Sequence, residues 1–66
     1  MRIIVNGEPV TMDAPSTVAD LITHYHLAGS AAAVEVNRQL VPRRQHAEHA
    51  LADGDEVEIV TLVGGG

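Results

Sequence analysis

The stretch Pro15–Gly29, PSTVADLITHYHLAG, has a helical period, while the clearest segments around it alternate like strands. Val18, Leu21, Ile22 and Tyr25 recur at i, i+3, i+4 and i+7, one apolar stripe along a helix. Ser16 or Thr17 can cap its N-terminus, and Thr17-x-x-Asp20 has the form of a capping box. Asp20 falls in the first turn, where the helix dipole favours negative charge. Gly29 is the expected C′ residue, since a helix commonly ends on a residue of positive φ.

Working outward toward the N-terminus, Arg2–Asn6 alternates, with Ile3 and Val5 on one face and Arg2 and Ile4 on the other. Asn6-Gly7 is a hairpin signal, because both residues accept the positive φ of a type I′ turn. Pro9–Asp13 is the expected return strand, with Val10 and Met12 on one face; a proline suits the start or edge of a strand. Toward the C-terminus, Ala31–Asn37 alternates again, Ala32, Val34 and Val36 against Ala33 and Glu35. Asn37–Gln39 turns the chain into a short strand at Leu40–Val41, ended by Pro42. Arg43–Leu51 reads equally as a short helix or a turn, with Ala47 and Leu51 expected inward. Asp53–Asp55 is a turn, and Glu56–Val63 the last strand.

A leading hairpin, one crossing helix and a final strand imply an α+β fold: a mixed sheet of about five strands covered on one face by one helix. The first and last strands then lie side by side and parallel in the centre. This is the β-grasp arrangement, the fold of ubiquitin. Residues 1–63 are expected as the domain and 64–66 as a flexible glycine tail. If Val57 and Ile59 face the helix, then Glu56, Glu58, Val60 and Leu62 face away from it, joined by Ile4 on the neighbouring strand. With Val63 ahead of the tail, these are the expected docking residues for a partner, since an exposed apolar patch often marks one.

Composition narrows the chemistry. With 66 residues and no cysteine, the domain has neither disulfide nor thiolate, and with Tyr25 as its only aromatic residue its core must be aliphatic. A formal charge of −5 argues against a nucleic-acid partner and for a basic protein surface. No apolar run is long enough for a membrane span and no signal peptide stands at the start, so the expected location is the cytoplasm. His24 and His26 are two apart on the helix and do not face each other. His46 and His49 lack further ligands for a tetrahedral zinc site. No metal is expected. Asp53, Asp55, Glu56 and Glu58 read as a solvated turn and strand edge. There is no nucleophile elbow and no phosphate-cradling loop. The chain also has no lysine: Arg2, Arg38, Arg43 and Arg44 are its four basic residues, as an Ala-, Arg- and Gly-rich composition favours.

With no catalyst in the interior, the expected reactive group is the C-terminal carboxylate of Gly66. Gly64 and Gly65 have no Cβ to block a narrow channel, and they accept any φ/ψ. The sequence resembles the ThiS family, small sulfur carriers of thiazole and thiamine biosynthesis. The likeness is carried by IIVNGEPV, TVADLI, VEVNRQLVPR and LADGDEVEIVTLVGGG. It implies that an ATP-dependent, ubiquitin-activating-enzyme-like partner adenylates Gly66. Sulfur delivered with the help of a cysteine desulfurase then gives a thiocarboxylate, which thiazole synthase consumes. It also implies a protein co-substrate, monomeric on its own, that binds no cofactor, ATP being used by the activating enzyme. The alternatives are a molybdopterin-type sulfur carrier, a ubiquitin-like protein modifier, and a β-grasp interaction module with an idle tail.

Overall fold

A computed structural model describes residues 1–61. Strands β1 (Arg2–Val5) and β2 (Glu8–Thr11) form a hairpin and α1 (Val18–His24) follows; β3 (Ala32–Val36), β4 (Gln39–Val41), a 3-10 turn at Arg43–Gln45 and β5 (Glu56–Thr61) complete the order. The sheet order is β2-β1-β5-β3-β4. β5 runs parallel to β1 and antiparallel to β3, so the expected mixed sheet with β1 and β5 adjacent at its centre is the one found. Pro9 lies on edge strand β2, where its missing N–H costs no ladder bond.

Alternation sorts the side chains. Ile3, Val5, Val34, Val36, Val41 and Val57 are buried together with Val18, Leu21 and Ile22 of α1. Fully burying an aliphatic side chain contributes about 1.5–3 kcal/mol. Ile3, Val18, Leu21, Val34 and Val57 reach that limit, so these five dominate the core.

Both hairpins turn on two consecutive residues of positive φ, as type I′ turns require: Asn6 (50°) with Gly7 (84°), and Asn37 (51°) with Arg38 (69°). The two asparagines then reach sideways to β5. Asn6 Nδ2 donates to the Ile59 carbonyl at 3.2 Å, and its Oδ1 accepts from Ile59 N–H at 2.8 Å. Asn37 Oδ1 accepts from Glu56 N–H at 3.0 Å, while its own N–H donates to the Glu56 carbonyl at 2.7 Å.

The helix starts where expected and ends early. Thr17 and Asp20 form the capping box in both directions. The remaining N-terminal N–H groups are met from across the fold: Val18 donates to the His49 carbonyl and Ala19 to the His46 carbonyl. Residues 46–51 are held against the start of α1 by this pairing and by the Thr17–Ala50 bridge. That explains why Ala47, expected inward, is exposed while Leu51 is buried.

At the other end, His26 N–H bonds the Thr23 carbonyl and Leu27 N–H the Ile22 carbonyl, a Schellman motif with His26 at C′ and φ 59°. The expected C′ residue, Gly29, instead serves the next turn at φ 91°. Tyr25 becomes the C-cap and is 37% exposed, so it drops out of the expected apolar stripe. Strand β2 likewise stops at Thr11, short of the expected Asp13.

The Asn6 clamp is testable. Asn6→Gly keeps a residue suited to positive φ and removes only the amide. Urea titration should show a loss of about 1–3 kcal/mol for the two bonds. An unchanged midpoint would mean that water replaces both without penalty.

Candidate functional site

The face of the sheet opposite α1 carries the residues that the alternation selects. Ile4 stands in register with Glu56, Glu58 with Glu35, and Val60 with Ala33. Leu40 of β4 stands beside Glu35. Ile4 is half-buried, Glu56 and Glu58 are exposed, and Val60 is 60% exposed. The structure therefore brings Ile4, Glu56, Glu58 and Val60 onto one open face, as expected from sequence. Leu62, Val63, Gly64, Gly65 and Gly66 lie outside the described residues.

The same geometry adds residues. Leu40, 66% exposed, extends the apolar part of the face. Glu35 opposes Glu58 directly, and like charges so placed are unfavourable to the sheet. The register partners of these glutamates on the described strands are Glu, Leu and Ile, with no cation among them. Alternation had already put Glu35 on this side; Leu40 gave less signal, because a three-residue strand has almost no period to read.

Asp53 and Asp55 do structural work. Asp53 accepts from Arg2 N–H at 2.7 Å. Asp55 accepts from Ala52 N–H at 2.8 Å and from Asn37 Nδ2 at 3.0 Å. These bonds close the turn that feeds β5 beside β1. His46 points its Nε2 at the Val41 carbonyl, 3.0 Å away, and so donates there. Among the described residues no group of three His, Cys, Asp or Glu could hold a metal ion. No helix among them is long and apolar enough to cross a membrane.

Two open clefts flank the end of β5. One, of about 230 Å³, lies on the helix side and includes Asn6, Tyr25, Leu27, Ile59 and Thr61. The other, of about 260 Å³, is lined by Ala31, Ala32, Ala33, Val60 and Arg43. Thr61 is paired with Ala32, five residues before Gly66. Neither cleft holds an arrangement of nucleophile and base. What the geometry offers is a surface around Thr61, the last described residue of β5.

The chain resembles known proteins over its whole length. The model of the ThiS family matches residues 3–66. The chain is 33% identical to the sulfur carrier protein ThiS of Escherichia coli, with 100% of both chains covered. It is 38% identical to a thiazole synthase of Paramagnetospirillum magneticum, of which it spans only 20%. The crystal structure of the thiamine biosynthesis protein ThiS from Geobacter metallireducens superposes with a TM-score of 0.81 at 32% identity, covering 100% of each chain.

The two faces of the sheet should separate in stability. Val60→Ser is expected to change the unfolding free energy by no more than about 0.5 kcal/mol, as for an exposed site. Ile3→Ala, on the core side, should cost about 2–5 kcal/mol. Ile4→Ser should fall between them. Urea denaturation of the three variants measures all three values, and a Val60→Ser loss as large as that of Ile3→Ala would reverse the assignment of faces.

Proposed function

The chain belongs to the ThiS family, and from that premise we propose that Gly66 is its working residue, adenylated by a partner enzyme and converted to a thiocarboxylate. The family's sulfur carriers serve thiamine biosynthesis, and the fold described above is theirs. The observation that carries the reading is the alignment with the E. coli sulfur carrier, which runs end to end over both chains. The strand order supports it, because β5, central in the sheet, ends at Thr61, five residues before Gly66 in the sequence.

The chemistry divides between this chain and its partners. A carboxylate oxygen of Gly66 attacks the α-phosphorus of ATP bound by the activating enzyme, and pyrophosphate leaves. A sulfur nucleophile then adds to the acyl carbon, and AMP departs with the bonding electron pair. With hydrosulfide the step involves no redox change; a persulfide donor, supplied through a cysteine desulfurase, needs a thiol reductant to release its second sulfur. The chain supplies a docking face (Ile4, Glu56, Glu58, Val60, with Leu62 and Val63) and an unobstructed tail (Gly64, Gly65), and it catalyses no step itself. Its likeness to part of a thiazole synthase supports thiazole synthase as the acceptor, ahead of molybdopterin synthesis.

Intact mass spectrometry tests this reading. Incubated with ATP, sulfide and the adenylating enzyme, the chain should gain the mass of one oxygen replaced by sulfur. Deleting Gly66 or introducing Gly65→Trp should abolish the gain without unfolding the domain. An isopeptide adduct would indicate a protein modifier, and an unchanged mass an interaction module.

A further inference from the structure

Residues 62–66, fully extended, would span at most about 18 Å. Whatever protein holds the Gly66 carboxylate in its active site must therefore abut the end of the sheet where β5 reaches Thr61. This argument rests on the reading of Gly66 given above.

At that end of the open face the charge changes sign. Val41 is in register with Val34, and Ala32 with Thr61. Arg43, two residues past Val41, accordingly lies level with the end of β5, and it lines the cleft formed with Ala31–Ala33 and Val60. Arg43 is exposed, and Val60 beside it is 60% exposed. Arg2 and Arg38 belong to the opposite end of the sheet. Arg2 donates its N–H to Asp53, and Arg38 follows Asn37, whose amide holds Glu56. Arg44 adjoins Arg43 but does not line the cleft. Moving toward the tail, the face therefore runs from the carboxylates of Glu35, Glu56 and Glu58, across the apolar Val60–Ala33 step, to one guanidinium.

We infer that Arg43 and its cleft form an orienting contact for the adenylating enzyme, which presents an apolar side chain to the cleft and a carboxylate to Arg43. Complementary charge fixes docking register and disfavours wrong orientations. A partner turned end for end would set its carboxylate over Glu35 and Glu58 and leave Arg43 unpaired. Arg43 touches no reacting atom; it positions the carrier so that the tail enters the active site.

The test is ATP–pyrophosphate exchange by the adenylating enzyme of the same organism, with the full chain as the varied substrate. Arg43→Glu should raise KM about tenfold or more, because it sets like charges against each other. Arg43→Gln should give a smaller rise and Arg44→Glu little change, with kcat at saturation kept in all three. Thermal melts should match the wild type, and Arg43→Gln serves if the charge reversal disturbs the fold. Wild-type KM in Arg43→Glu, or an equal rise in Arg44→Glu, would overturn the role of Arg43 while leaving the function intact. Exchange supported by a chain lacking Gly66 would instead overturn the reading of Gly66.

Discussion

The fold depends on how β5 is held. Its parallel pairing with β1 is short: Ile4 with Glu56 and Val5 with Val57 are its only two register pairs. One asparagine side chain lengthens it. Asn6 stands in for the residue that would continue β1, giving Ile59 one donor and one acceptor. On the β3 side, Asn37 accepts from Glu56 N–H through its Oδ1 and donates its backbone N–H to the Glu56 carbonyl. Both asparagines sit at positive φ in hairpin turns, a conformation that asparagine tolerates better than most residues. One residue type thus shapes each turn and fastens the central strand, and with β5 fixed, Val57 is buried and Val60 is turned out.

Much of this was legible in the sequence because it rests on local rules. The Asn6-Gly7 turn, the Thr17–Asp20 capping box and the alternation of β1, β3 and β5 each follow from neighbouring residues alone. What was not legible depends on distant partners. The helix stops at His24 because Leu27 returns to the core and closes a Schellman motif. His26 serves at C′ in place of glycine, so Gly29 was a misleading signal. Residues 43–51 have no period of their own, since they lend backbone carbonyls to the first turn of α1. The open face was readable by alternation, whereas Arg43 follows Pro42, opens a one-turn 3-10 segment with no period to read, and reaches the face only because β4 pairs beside β3.

The division between core and open face would suit the proposed carrier role. Burial is concentrated on the α1 side, in aliphatic residues whose packing fixes the sheet. The other face keeps its carboxylates and its exposed Val60 and Leu40 free of that duty, so a partner bound there would not draw on the side chains that fold the domain. The opposed Glu35 and Glu58 are the clearest sign of this separation. They add nothing favourable to the sheet, and a cationic partner would turn that cost into attraction.

Tyr25 has an optical consequence. It is the sole aromatic of the Phe, Tyr and Trp class in the chain, it caps α1 at the surface, and it lines the helix-side cleft with Thr61 and Asn6. Its ring meets the His24 imidazole edge-on, with 5.2 Å between centroids. Near-ultraviolet emission from the unlabelled chain therefore comes from one place, beside the exit of β5. The protein carries a native fluorescent reporter for events at the end of β5.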